Sequence, residues 1–425
     1  MYKKGLVKII SLLFAAFFAL SLSLTAFAEG ENVKASVAQP EKTAAQETME
    51  LFRNFDGRIL SVAKQGDVSL YPENSWEGIK SAIKKGADII EIDVNKTSDN
   101  YLVLIKDDDF SRMCVDPSGK TITSKVSQTE AWEVIAMCLR QGRGGEAKEP
   151  TDCHPQTLEA VVRAVGTKAV LMLNFDSDIR DDVYNEIYSL GALDRVIFKI
   201  KGQAGAIKKF ISSHSEENLA VMGEYSGNVV FSATGYIKKM KKAGVAASML
   251  SVKNPNGVIF DKSVTKTFSS IRAAADMTDK KRCGEREDNE SGWNDLLSRG
   301  YSIIETDYPG KLVDYIAQYE KEKAVLERLT EKTGALDLTK YGYKSAKALE
   351  KELEKSRVLL STHTSKQALN EQYSALNSAY MSLDAADGST NGRTVTAGRV
   401  IAALLITALF VFSQVIVYRH SRKER

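Results

Sequence analysis

The apolar positions of the chain change period along its length. Between residues 57 and about 312, short, mostly apolar runs of four to six residues alternate with stretches whose apolar positions recur every three or four. The first kind predicts buried strands, here Ile59–Ala63, Ile89–Val94, Leu102–Ile105, Ala169–Asn174, Val196–Lys199, Leu219–Met222, Ala247–Leu250 and Ser302–Thr306. The second predicts helices, among them Ser75–Lys85, Thr157–Val165, Asp181–Leu190, Ala204–His214 and Gly235–Ala243. Near-continuous apolar strands separated by helices mean a parallel sheet covered on both faces. Eight such units in about 250 residues fit an α/β fold of the closed (β/α)8, or TIM, barrel type. An open doubly wound sheet is the alternative, and the absence of Gly-x-Gly-x-x-Gly after the first strand counts against a dinucleotide site.

The pattern differs at the two ends. Lys3, Lys4 and Lys8 accompany the apolar run Ile9–Leu24, and Ala26-Phe27-Ala28 follows with small residues spaced for cleavage. Residues 1–28 therefore read as a secretory signal peptide, and residues 29–50, rich in Ala, Gln, Glu, Lys and Thr, as a mobile stalk. Val400–Tyr418 is 19 residues without a charge. At ~1.5 Å per residue it is long enough to cross a bilayer as a helix. Arg419, Arg422 and Lys423 then place the C-terminus, residues 419–425, in the cytoplasm and the rest outside. The expected order is the barrel over 51–316, a small all-α helical module over 317–386, a linker over 387–398, a single transmembrane helix over 399–418 and the tail. The module is read from Leu312–Lys332, Tyr343–Leu360 and Ser365–Leu383; a coiled-coil segment is its plainer reading, although no heptad runs unbroken through four repeats.

Charge adds one correction. The formal net charge is +3, but without residues 1–28 and 419–425 the chain carries 51 basic and 54 acidic side chains. The middle thus has no nucleic-acid signature. Cys114, Cys138, Cys153 and Cys283 fall in the exported part, where disulfides or free buried thiols are both open readings; no spacing suits zinc.

Candidate chemistry sits at the strand ends. Glu91 and Asp93 are two apart on one strand, so both carboxylates face one way, at the end where barrel enzymes keep their sites. Converging carboxylates suit a hard cation such as Ca2+ or Mg2+. Asn174-Phe175-Asp176, Lys106-Asp107, Lys64 and Glu305-Thr306-Asp307 end other apolar runs in the same manner. Arg140, Arg143, Gly144 and Gly145 form a loop able to cradle a phosphate, and Trp293 is either core or the wall of a pocket.

The run "YPENSWEGIKSAIKKGADIIEIDVNKTSDNYLVLIKDDDFSR", with "HPQTLEAVV" and "IIETDYPGKLVDYI" further on, resembles the glycerophosphodiester phosphodiesterases. The resemblance spans about 60–315 and implies a (β/α)8 barrel that cleaves phosphodiesters with two His and a divalent cation. It puts Lys64 and Lys106 at the two His positions and Gln65 at that of a phosphate-holding Arg. It makes Glu91 and Asp93 metal ligands, puts Asn174 at the third ligand position, and puts Asp176 where the family has a Lys.

An ammonium is a poor acid–base group near neutral pH. Lys64 and Lys106 therefore become candidate phosphate-binding cations, with Gln65 and Arg143, or internal counter-ions replacing the metal, or catalytic groups of altered mechanism. His154 is the stand-in base. Glu91, Asp93, Asn174 and Asp176 could together hold Ca2+.

The segment Asp337–Leu383 resembles the FIVAR-type surface modules of Gram-positive bacteria, implying a spacer or contact with wall polymer or host matrix. Three functions follow as expectations: a membrane-held extracellular phosphodiesterase acting on glycerophosphodiesters or glycerol-phosphate polymers, a non-catalytic barrel binding such ligands, or a scaffold for the helical module.

Overall fold

The computed structural model describes residues 41–54, 57–215, 217–227, 230–252, 272–278, 286–362 and 364–384. The expected signal peptide, the linker, Val400–Tyr418 and the tail lie outside these residues. No described helix is long and apolar enough to cross a membrane.

Eight parallel strands close into a barrel. They are β1 (Leu60–Lys64), β2 (Ile89–Asp93), β7 (Val170–Asn174), β8 (Val196–Lys201), β9 (Ala220–Gly227), β10 (Ala247–Val252), β11 (Arg272–Asp276) and β12 (Tyr301–Thr306). Each pairs with the next in that order, and β1 pairs with β12 to close the ring. The strand period sorts side chains into two layers. Ile90, Ile92, Leu171, Leu173 and Phe198 face outward into the cluster formed with the surrounding helices. Leu60, Val62, Ile89, Met172, Met222 and Ile303 fill the interior. These interior side chains are fully buried, each contributing roughly 1.5–3 kcal/mol relative to exposure. Above them the inward positions turn polar, and this polar upper layer holds the candidate site.

Two sequence expectations need correction. Leu102–Ile105 is not a barrel strand. Its first two residues form β4 (Leu102–Val103), which pairs antiparallel with β3 (Asn95–Lys96). They belong to a lobe inserted between β2 and β7, where β5 (Cys114–Val115) and β6 (Cys138–Leu139) pair over a small core containing Val103, Ile105, Phe110 and Val134. The eighth stave is instead β11, whose sequence Arg-Ala-Ala-Ala-Asp holds no β-branched or aromatic residue and so carries no strand signal. The end of the expected stalk is also ordered. Ala44–Arg53 is a helix started by a capping box between Thr43 and Gln46. Ala45, Met49 and Phe52 pack against the lower interior layer, and Arg272 on β11 donates to the Leu51 carbonyl at 2.9 Å.

The helices expected after the barrel are present as Pro309–Gly334, Tyr343–Leu360 and Lys366–Met381. The first is the last helix of the barrel and the first of the bundle at once. Leu312, Tyr315 and Ile316 in its first half share one continuous core with Leu326, Leu349, Leu369 and Leu376. Lys366 at the start of the third helix ties back to the barrel helix Glu290–Ser298, donating to Glu290 at 2.6 Å. Trp293 on that barrel helix is core: it is 2% exposed, and its Nε1 donates to Asp288 at 2.9 Å. Cys114, Cys138 and Cys153 are free thiols, and Cys283 lies outside the described residues. Burial foremost, then Glu73, pushes the Cys114 thiol up to about 12, so it is an inert core group.

Candidate functional site

The turn after β1 sets the site. Gln65 sits at φ +61° and Gly66 at φ +87°. A Cβ on Gly66 would fall 2.8 Å from the Gly78 backbone, so only glycine fits there. Gln65 N donates to the Glu91 carbonyl at 2.8 Å, and Asn74 N to the Gln65 carbonyl at 2.9 Å. This pins both amide side chains against Asp93.

The lower part of the site is an ionic cluster sealed inside the barrel. Lys199 on β8 reaches Glu91 at 2.6 Å and both oxygens of Glu305 at 2.8 and 3.0 Å. Lys64 on β1 reaches Asp276 at 2.6 Å, Glu305 at 3.2 Å and Glu91 at 3.3 Å. Lys64 is 7% exposed and Lys199 1%, while Glu91 and Glu305 are wholly buried. Burial works against the charged form of each lysine, but the carboxylates outweigh it. Lys64 is held well above the usual lysine range, chiefly by Asp276, and Lys199 at about 12. Burial and the adjoining Glu91 push Glu305 up to about 8, against the pull of both lysines. Asp276 is depressed, because Lys64 and Lys199 overcome its burial.

Asp93 lies beside this cluster but meets only amides. It accepts from Gln65, from Asn174 and, at 3.3 Å, from Asn74. Its backbone N–H donates to Asn74 Oδ1 at 2.9 Å.

The mouth is formed by the inserted lobe. Arg143 donates to Asp307 through Nε at 2.9 Å and through Nη2, and to Gln65 through Nη1. Arg112 donates to Asp107, to Glu73 and to the Arg143 carbonyl. Its Nη2 is buried and has no hydrogen-bond partner among the described residues. Burial, foremost, pushes Glu73 up to about 7, with Arg112 pulling against it and Asp93 adding to it.

The sequence-selected residues divide accordingly. Lys64, Gln65, Glu91, Asp93, Asn174 and Arg143 come together. Lys106 is exposed on the lobe, and its side chain makes no hydrogen bond or ion pair among the described residues. Asp176 is exposed beyond the end of β7. His154 is exposed, and its Nδ1 lies 2.7 Å from the Met137 carbonyl. Arg140 is committed to Thr121 and the Lys148 carbonyl. Sequence reasoning missed Lys199 and Asp276. The signal for Lys199 was its place in Val-Ile-Phe-Lys-Ile-Lys, two residues on from inward-facing Ile197 and hence on the same face.

These residues do not fit a divalent cation. Glu91 faces two ammonium groups, Asp93 is filled by amide donors, and Asn174 turns its own amide N–H toward Asp93. Among the described residues no three His, Cys, Asp or Glu side chains stand in a metal-binding arrangement.

Residues 65–265 match the model of the Glycerophosphoryl diester phosphodiesterase family. Over that stretch, just under half of the chain, the barrel is similar to this family. A curated glycerophosphodiester phosphodiesterase from Caldanaerobacter subterraneus subsp. tengcongensis is 42% identical over 55 residues, 13% of this chain and 23% of that protein. The chain thus aligns with less than a quarter of that relative's length. Among solved structures, a glycerophosphoryl diester phosphodiesterase from Parabacteroides distasonis shares the barrel fold, with 17% identity and a TM-score of 0.51 over 64% of this chain and 92% of that one. A phosphodiesterase from Oleispira antarctica, solved with the product sn-glycerol-3-phosphate, is 17% identical with a TM-score of 0.46, covering 61% of this chain and 96% of the other.

Proposed function

We propose that this protein binds a phosphodiester-type ligand, a glycerophosphodiester or a glycerol-phosphate polymer, and does not hydrolyse it. The observation that carries this reading is the state of Lys64. The family resemblance puts a His acting as acid or base at its position. Lys64 instead spends its contacts on Asp276, Glu91 and Glu305, and its raised pKa keeps it protonated at neutral pH. A permanently protonated, fully engaged ammonium cannot accept a proton.

Binding is supported at the mouth. Lys106 is exposed and acts on Glu73 electrostatically, Arg112 Nη2 has no hydrogen-bond partner among the described residues, and Arg143 stands beside Gln65. A guanidinium with a spare donor and a mobile ammonium suit phosphate oxygens.

The end segments support an exported, membrane-held protein, with the ectodomain outside and the tail in the cytoplasm of a Gram-positive bacterium. The basic, apolar and small-residue order of residues 1–28 and the uncharged run Val400–Tyr418 before Arg419 carry that part. The three C-terminal helices serve as a FIVAR-like spacer or as a contact to wall polymer.

The test is to incubate the full chain in detergent with a panel of glycerophosphodiesters and glycerol-phosphate oligomers, following heat of binding and release of glycerol phosphate together. The expected result is saturable binding that falls tenfold or more in Lys106→Ala with Arg112→Ala, and no release. Release abolished by Glu91→Ala would make the protein an enzyme and overturn the reading. No binding across the panel would leave the barrel as a scaffold for the helices.

A further inference from the structure

We propose that Lys64 and Lys199 together are a resident cation built into the chain, holding a carboxylate cage that would otherwise take Ca2+. The geometry is that of an ammonium group held among carboxylate oxygens. Lys199 Nζ has three carboxylate oxygens around it, one from Glu91 at 2.6 Å and two from Glu305 at 2.8 and 3.0 Å. Glu305 thus grips it with both oxygens, a mode that carboxylates use on Ca2+ at about 2.3–2.6 Å. Lys64 adds the third acid, Asp276, at 2.6 Å. Moving these oxygens inward by a few tenths of an ångström would bring them to Ca2+ distance from a metal at the Lys199 ammonium position.

Charge makes the same point. Two ammonium groups supply the charge of one divalent ion, and they come from separate strands, β1 and β8, so the cage is tied across the barrel. Without them the wholly buried Glu91 and Glu305 would meet inside the barrel, an arrangement that favours a proton or a cation. Glu305 and Asp276 lie outside the ligand positions that the family resemblance assigns. The inference is therefore about the residues of this chain, and it is independent of any ligand at the mouth.

The experiment compares the full wild-type chain with Lys64→Met/Lys199→Met by thermal melting in EDTA and in ~5 mM Ca2+, with calorimetric Ca2+ titration of both. Wild type is expected to melt at the same temperature in both media and to take up no Ca2+. The double variant is expected to melt lower in EDTA and to recover by about 5 °C or more with Ca2+. Folding of the variant only when Ca2+ is present also supports the proposal. A folded variant that ignores Ca2+ overturns it. If the double variant does not fold in either medium, Lys199→Met alone is read in the same way. The wild-type arm decides independently: stoichiometric Ca2+ uptake by wild type that Glu91→Gln removes would show that the lysines do not replace the metal.

Discussion

Lys199 and Glu91 meet at 2.6 Å, from β8 and β2, with β7 between them. Neither is reached by solvent. The contact spans the barrel interior above the apolar layer and makes the centre of the molecule ionic but self-neutralised. A buried pair of this kind adds little over an apolar replacement of both partners, but removing one partner strands the other. Lys199→Ala is therefore expected to destabilise the chain by roughly 3–5 kcal/mol, measured by denaturant unfolding at neutral pH. Lys199→Arg, which keeps the charge, is expected to recover part of that loss.

Glu73 gives the mouth a pH dependence. Its folded pKa, about 7, is raised above the ordinary glutamate value, so folding favours the protonated form. The stabilisation is fully present below the ordinary glutamate value near 4.5 and is lost as pH rises through about 7. Melting curves between pH 4.5 and 8 are expected to show wild type losing on the order of 2–3 kcal/mol relative to Glu73→Gln over that window. Equal pH slopes for the two proteins would refute the assignment.

The loop that carries Arg143 depends on one glycine. Gly144 is at φ +67°, and a Cβ there would overlap the Arg112 carbonyl oxygen, which also accepts from Gly145 N at 2.7 Å. Gly144→Ala is expected to cost roughly 2 kcal/mol or more, from backbone strain plus the clash. It should weaken ligand binding at the same time by displacing both arginines. Gly119→Ala provides the control: Gly119 is also at positive φ, +84°, but has open space around it, so its cost should stay near ~1 kcal/mol with binding unchanged. Comparable losses from both would show that strain alone, not the Arg112–Arg143 contact, governs the loop.

A good part of the barrel and its acids is legible in the order of residues. The spacing of Ile89, Glu91 and Asp93 sets which face the acids share, and the apolar runs locate seven of the eight staves. What escapes does so for physical reasons. β11 is a strand because its alanines fit between β10 and β12, where Ala273, Ala274 and Ala275 are at most 5% exposed; nothing in Arg-Ala-Ala-Ala-Asp favours extended backbone. Asp276 is lost with it. Leu102–Ile105 has strand composition, but it serves the core of a lobe, and pattern cannot tell one buried surface from another. The helix Ala44–Arg53 hides in a segment of polar composition because few of its residues, Ala45, Met49, Leu51 and Phe52, pack on the barrel interior. Lys199 is visible as a charge on an apolar strand, but its partners lie 106 and 108 residues away and only the closed ring joins them.

The helix Pro309–Gly334 has one further consequence. It runs 26 residues without a break, rooted in the barrel at one end and in the bundle at the other. At ~1.5 Å per residue it is a rod about 39 Å long. A rod with both ends embedded in a shared core leaves no hinge between the two parts. Torque applied to the bundle therefore reorients the barrel mouth by the same angle, and a load on either part is carried by the other.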